Sequence, residues 1–195
     1  MPAPGGLLRR PDPPAIALLE FDSIARALRT GDVMVKRAPV EVLFSGPVSP
    51  GKYLILITGG EAEVEESWRE GVGDGGDRVM DSLYLPGVHA DALDAVRGAA
   101  GALVPEQDSL GVLETSTVSA AIVACDAACK TAPVRVVEMR LGKGIGGKGV
   151  FTLAGELWDV EAALAAAETS IEARRAVVGR ELIPRPDPGF PGGLR

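Results

Sequence analysis

The stretch DVMVKRAPVE, residues 32–41, decides the fold of this 195-residue chain, because its pattern occurs twice. Residues 125–134 read CDAACKTAPV, so an aspartate, a lysine and the tripeptide Ala-Pro-Val recur at an offset of 94. After a two-residue insertion the offset becomes 96, and Lys52 then aligns with Lys148. Because the matches keep their order along both halves, the chain is predicted to contain an internal duplication.

The repeat is far longer than the roughly 20–50 residues of a solenoid unit, so each copy is expected to be a small domain. The first domain is predicted at residues 15–104 and the second at 105–186. Residues 1–14 are predicted to be an extended N-terminal segment, and residues 187–195 a flexible tail rich in Pro and Gly.

Each copy mixes strands with helices, which indicates the α+β class. Ala15–Phe21 is an apolar run typical of a strand. Ser23 is then predicted to cap a helix that Pro39 ends. Apolar residues at helical spacing predict the buried face of this helix: Ile24, Ala27, Leu28, Gly31, Val35 and Ala38.

The rest of the first copy is predicted to continue as strand, turn, strand and helix. Gly46–Gly51 is rich in Gly and Pro and is predicted to be the turn between strands Val40–Phe44 and Tyr53–Ile57. A second helix is predicted to start near Glu61, and Gly71–Gly76 is predicted to be a loop. A further strand, Val79–Leu85, and a short helix, Ala90–Ala99, are expected to follow.

Composition excludes several classes of function. Lys and Arg number 20 against 27 Asp and Glu, and a net charge of −7 argues against binding to nucleic acid or to an acidic membrane surface. The longest apolar stretches, such as Tyr53–Ile57, are far shorter than the roughly 20 residues of a membrane span. One histidine and two cysteines exclude a His-rich metal site or a disulfide scaffold. A soluble cytoplasmic protein is expected.

The paired motifs resemble the bacterial microcompartment (BMC) shell domain, and the duplication resembles the tandem-domain BMC-T class. The resemblance rests on Asp32–Glu41 with the turn and strand that follow, on Cys125–Val134, and on Ile183–Pro186, which is similar to the family's edge motif. It implies two ferredoxin-like domains and a trimer that mimics a hexamer. The implied function is a non-enzymatic tile of the microcompartment shell, within the cytoplasm, with a central pore for metabolites.

The resemblance also implies which residues line the pore, because the loop between the second and third strands of each domain meets its symmetry mates there. Those loops are, by position, Ser49-Pro50-Gly51 and Lys143-Gly144-Ile145-Gly146-Gly147-Lys148. If both lysines face the axis, the pore favours anionic or polar metabolites. The alternative is that one or both lysines point to the surface of the disc.

The tile edge is implied in the same way. Lys36 and Lys130 align with the family's edge lysine, and Arg185 aligns with its edge arginine. The first copy lacks this arginine and carries Leu85-Pro86-Gly87 instead. Implied partners are two further copies of the chain, hexameric tiles, pentameric vertices and small metabolites. The alternative from another class is a trimeric ferredoxin-like regulator that binds a small molecule between subunits.

Four features that could indicate chemistry are better explained by structure. Gly142–Lys148 matches a phosphate-binding loop, but a strand is predicted after it where such a loop needs a helix. Cys125 and Cys129 are expected in the core, His89 in a solvated loop, and the acidic residues from Glu61 to Glu66 on a solvated helix face. No catalytic residue is predicted.

No cofactor or metal is predicted either. Some tandem shell proteins hold an iron–sulfur cluster at the pore through a cysteine in the pore loop. Neither loop of this chain contains a cysteine, so the resemblance does not extend to that cluster.

Overall fold

Both halves of the chain fold into strands and helices in the same order. The computed structural model describes residues 14–99, 109–187 and 189. The first unit consists of strands β1 (Ala15–Phe21), β2 (Glu41–Val48), β3 (Lys52–Gly59) and β4 (Val79–Leu85), and of helices α1 (Ile24–Arg37) and α2 (Glu61–Gly75), followed by α3 (Ala90–Val96). The second unit consists of strands β5 (Ser109–Thr115), β6 (Arg135–Leu141), β7 (Gly149–Gly155) and β8 (Val177–Ile183), and of helices α4 (Val118–Thr131) and α5 (Leu157–Ser170).

The two sheets have the same antiparallel topology. The strand orders are β2-β3-β1-β4 and β6-β7-β5-β8, so the first strand of each unit is central. Even the irregularities recur: the register shifts between Val42 and Phe44, and again between Val136 and Glu138. The predicted α+β duplication is therefore confirmed. The predicted boundary near residue 105, the N-terminal segment up to residue 13 and most of the tail lie outside the described residues.

Strand β1 is buried on both faces, which explains its nearly continuous apolar sequence. Ala17 and Leu19 belong to a core formed with α1 and α2, whereas Ile16 and Leu18 belong to a second core. The second core continues without interruption into α4 and the sheet of the second unit. The two units therefore share one hydrophobic interior at their junction.

The predicted buried face of α1 is right for Ala27 and Ala38 and wrong for Ile24, Leu28 and Val35. The buried side chains within the helix are Ala27, Thr30 and Met34. Ile24, Leu28 and Val35 form a different stripe, and in the chain each is about half exposed, Leu28 at 58%. The periodicity identified an apolar stripe correctly but could not tell which neighbour covers it.

The predicted turn and loop of the first unit are both shorter than expected. Strand β2 continues through Gly46 and Pro47 to Val48, which leaves only Ser49–Gly51 for the turn. Pro47 is tolerated because β2 is an edge strand and bonds only to β3.

The prediction of a loop at Gly71–Gly76 is also wrong, because α2 extends to Gly75. A Cβ on Gly71 would lie 2.7 Å from Leu19 Cδ1 and from Met34 Sδ, so the glycine lets the helix pass close to β1 and α1. Gly76, with φ of 57°, ends the helix instead.

We predict opposite effects for two alanine substitutions on α2. Gly71→Ala overpacks the core and should lower the free energy of unfolding by about 1–3 kcal/mol. Gly73→Ala is the matched control, because a Cβ there meets nothing within 4 Å. Since alanine is the better helix former, Gly73→Ala should raise the free energy of unfolding by about 0.5–1 kcal/mol. Urea unfolding of both variants tests this, and equal effects would contradict it.

Candidate functional site

The two loops singled out from the sequence lie against each other within one chain. The turn Ser49–Gly51 joins β2 to β3, and the segment Gly142–Lys148 joins β6 to β7. A Cβ on Gly147 would lie 2.8 Å from the Ser49 carbonyl oxygen, and a Cβ on Gly142 would lie 3.2 Å from the Val48 side chain. The duplication thus brings both loops to one place on the molecule.

Glycine is required by the backbone of the longer loop. Gly142, Gly144, Gly146 and Gly147 all have φ between 69° and 77°, a region that other residues avoid. The Gly142 N–H donates to the Lys148 carbonyl at 2.8 Å, and the Gly147 N–H donates to the Gly142 carbonyl at 3.2 Å. These bonds close the loop into a compact turn.

The two lysines of this loop have different environments. Lys143 is exposed at the tip. Lys148 Nζ lies 2.7 Å from Glu114 Oε1, at the end of β5. Its repeat partner Lys52 makes the same contact, with Nζ 3.1 Å from Glu20 Oε2. The charge of Lys148 is therefore directed to a carboxylate, and Lys143 is the solvent-facing cation of the loop.

Glu20 links the two units through a contact that the sequence analysis missed. Its side chain is completely buried, and its Oε1 accepts the N–H groups of Val118 at 3.0 Å and Ser119 at 3.3 Å, in the first turn of α4. The carboxylate of the first unit therefore caps a helix of the second, where N–H groups and the helix dipole favour negative charge. The available signal was a lone acid in the apolar run of β1, repeated as Glu114 in β5.

The two predicted edge lysines occupy equivalent positions near the ends of α1 and α4. Lys36 Nζ lies 2.6 Å from Asp32 Oδ2, and Lys130 Nζ lies 2.7 Å from Asp126 Oδ2. Asp126 is nearly buried, and its Oδ1 also accepts the N–H of His89 at 2.8 Å. The aspartates of the repeated motif therefore hold the lysines one helical turn away, a role that the sequence analysis did not assign.

Arg185 has the unusual backbone that its counterpart in the first unit achieves with glycine. Leu85 pairs with Ile16 on β1, and Ile183 pairs with Leu110 on β5, so Gly87 and Arg185 occupy equivalent places. Their φ angles are 60° and 47°. A left-handed conformation costs a non-glycine residue about 1–2 kcal/mol. The Arg185 side chain is exposed, so its burial does not offset the cost of this backbone conformation.

The remaining candidate motifs have structural roles. Strand β7 starts at Gly149, directly after the glycine-rich loop, so the helix of a phosphate-binding loop is replaced by a strand. His89 caps α3, where its Nδ1 accepts the N–H of Asp91, and is not merely a solvated loop residue. In the acidic run of α2, Glu65 pairs with Arg69 and Glu66 with Arg37.

The cysteines do not fit an iron–sulfur cluster at the loops. Cys125 and Cys129 are both buried on α4, far along the chain from either turn. A hydrogen bond with Cys129, together with burial, raises the pKa of the Cys125 thiol well above its usual value, which disfavours the thiolate that a metal requires. Within residues 14–99 and 109–187, no group of three or more His, Cys, Asp or Glu side chains is placed to hold a metal ion.

Comparison with known proteins places this arrangement in a family. The profile of the BMC domain matches twice, at residues 15–88 and 109–186. A shell protein of Citrobacter freundii, the bacterial microcompartment shell protein PduT, is 38% identical over 172 residues, which cover 88% of this chain and 92% of the relative.

Two solved structures of microcompartment proteins are also similar to this chain. A microcompartment protein from Desulfitobacterium hafniense superimposes with a TM-score of 0.83 at 39% identity, over 90% of this chain and 96% of that one. A fused permuted hexameric shell protein of the RMM microcompartment gives a TM-score of 0.62 at 25% identity, over 83% of this chain and 85% of that one.

The chain therefore belongs to the bacterial microcompartment shell proteins, with two tandem BMC domains. Its function is that of a structural shell tile, located in the microcompartment shell of the bacterial cytoplasm. Members of this family assemble with other shell proteins and are structural rather than catalytic. In the described part of the chain, no helix is long and apolar enough to cross a membrane.

Proposed function

We propose that three copies of this chain close into a ring of six BMC domains, with the second unit of one copy adjoining the first unit of the next. The observation that carries this proposal is the apolar stripe of α1. Its residues Ile24, Leu28 and Val35 are 47%, 58% and 45% exposed in the chain. Their repeat partners on α4, which are Val118, Ile122 and Cys129, are at most 7% exposed.

The difference between the two stripes has a simple physical cause. The α4 stripe shares one buried cluster with Leu83, Val88 and Leu93 of the first unit. Among the described residues, none covers the α1 stripe in this way. A second unit supplied by another copy would cover it, and three copies close the ring if the external junction repeats the internal geometry. Burial of an apolar side chain stabilises such a junction by about 1.5–3 kcal/mol.

We predict that Leu28→Ser weakens the trimer but leaves the subunit folded, because the side chain is already exposed in the chain. Sedimentation analysis over a range of concentrations should show dissociation of this variant where the unaltered protein remains a trimer. The matched control is Trp158→Ser, since Trp158 is 75% exposed and its repeat partner Ala62 is exposed as well, so the internal junction does not use that position. A stable Leu28→Ser trimer would contradict the proposed junction.

The ring would carry a central pore lined by the paired loops, Ser49-Pro50-Gly51 and Lys143-Gly144-Ile145-Gly146-Gly147-Lys148. The close approach of Gly147 to the Ser49 carbonyl supports this. Because the two loops adjoin in one chain, the loops of three copies would alternate around the axis of the ring. Since Lys148 is paired with Glu114, three copies of Lys143 would supply the positive charge at the mouth. Such a ring favours anionic metabolites over cationic ones.

We predict that Lys143→Ala reduces the flux of small anions through assembled shells several-fold. The rate at which external iodide quenches a halide-sensitive fluorophore trapped in the shells measures this flux. Arg69→Ala is the control, because it removes an exposed cation from α2 without changing the loops. An unchanged rate with Lys143→Ala would show that this lysine does not determine the selectivity of the pore.

The perimeter of the tile would present Lys36, Lys130 and Arg185 to neighbouring hexameric tiles and to the pentameric vertices. All three are charged side chains in contact with solvent, and Asp32 and Asp126 hold the lysines in place. Because Gly87 replaces the arginine in the first unit, the two kinds of edge would differ in strength.

We predict that the double variant Lys36→Ala, Lys130→Ala remains trimeric but no longer forms sheets with a hexameric shell protein. Electron microscopy of the mixture measures sheet formation. The Arg69–Glu65 pair has the same i, i+4 spacing as the pairs of the edge lysines, so Arg69→Ala is the matched control. Normal sheets from the double variant would show that these two lysines are not needed at the edge of the tile.

We propose no enzymatic activity for the tile. The loops that would form the pore contain no nucleophile beside a general base.

A further inference from the structure

We propose that Glu114 of one subunit caps helix α1 of the next subunit in the ring, and that Lys148 holds its carboxylate in position. Glu114 would accept the N–H groups of Ile24 and Ala25 of the neighbouring copy. This inference rests on the proposed trimer and assigns a particular contact to its junction. It also assigns the charge of Lys148 to the junction between subunits.

The model for this contact is present inside the chain. Glu20 uses Oε2 to bind Lys52 at 3.1 Å and Oε1 to accept the N–H groups of Val118 and Ser119. One buried carboxylate thereby joins a strand of the first unit to a helix of the second. Hydrogen bonds to an ionised group are stronger than those between neutral groups.

The second unit contains the same pair of a carboxylate and a lysine. Glu114 follows Glu20 at the repeat offset and binds Lys148, the repeat partner of Lys52. The side chain of Glu114 is 37% exposed, whereas that of Glu20 is completely buried. What Glu114 lacks in the chain is the helix N-terminus that covers Glu20.

The start of helix α1 has backbone N–H groups of the kind that Glu20 binds on α4. Ser23 Oγ accepts the N–H of Arg26 at 3.3 Å, as Thr117 Oγ1 accepts that of Ala120 at the same distance on α4. This cap leaves the N–H groups of Ile24 and Ala25, the repeat partners of Val118 and Ser119. Among the described residues no acceptor is bonded to either group, and the first N–H groups of a helix require partners from outside it.

The internal junction has a second polar link that the external junction cannot copy. Asp81 accepts hydrogen bonds from Ser119 Oγ and from Arg174 Nη1. The counterpart of Asp81 is Gly179, which pairs with Glu114 as Asp81 pairs with Glu20. The counterpart of Ser119 is Ala25. Neither has a polar side chain, so this second link has no counterpart between subunits.

The experiment compares Glu114→Ala with Glu161→Ala in the full-length protein. Glu161 is exposed on α5 and serves as the matched loss of one carboxylate. Sedimentation gives the dissociation constant of the trimer, and hydrogen exchange followed by mass spectrometry gives the protection of peptides that span the start of α1. Lys148→Met is a second variant, which removes only the cation that holds Glu114.

Glu114→Ala is expected to raise the dissociation constant at least about ten-fold, the effect of losing one charge-assisted hydrogen bond. It should also speed exchange at the start of α1 but not at the start of α4. Lys148→Met should act in the same direction and more weakly. Glu161→Ala should behave as the unaltered protein does.

The possible failures are distinguishable. If the unaltered protein is not a trimer, the proposed function fails, and this inference with it. If it is a trimer and neither Glu114→Ala nor Lys148→Met changes dissociation or exchange at α1, the ring stands and the Glu114 contact is overturned. If Glu114→Ala fails to fold, Lys148→Met decides alone, because Lys148 is a partly exposed loop side chain.

Discussion

Two-sided burial of the first sheet is the constraint on which the rest of the structure depends. One face of β1 packs on α1 and α2, and the other face lies in a core that α3 and the second unit complete. The second unit contributes α4 to this core, and Glu20 fixes that helix by bonding to its first N–H groups. A BMC domain of this chain is therefore incomplete without a neighbour on at least one side.

Duplication within one chain satisfies this constraint at one junction and leaves it open at the other. The internal junction has buried side chains on α4, a buried carboxylate and the link through Asp81. At the opposite end, the apolar stripe of α1 and the pair of Glu114 with Lys148 remain partly exposed. The proposed ring would cover both ends. Its two kinds of interface would differ in strength, because their polar residues differ.

The sequence indicated two loops and three charged residues as the candidate site, because the repeat aligns them with a known pattern. Their roles at a pore and at a tile edge stay predictions. The partners of those residues could not be found in this way: Asp126 binds Lys130, and Glu114 binds Lys148, at distances that only the fold establishes. The glycines of α2 were misassigned for a related reason, since Gly71 marks a close approach of helix to sheet that looks in sequence like a loop.

The sequence by itself determined the duplication, the order of strands and helices, the positions of the loops and the class of protein, because these depend on local periodicity and on motifs that recur along the chain. Tertiary structure alone decided which neighbour covers each apolar stripe and which carboxylate each lysine meets. The stripe containing Leu28 and that containing Ile122 are nearly alike in sequence, yet one is 58% exposed and the other completely buried. The physical reason is that burial depends on what packs against a surface, and for α1 that surface belongs to no other part of the described chain.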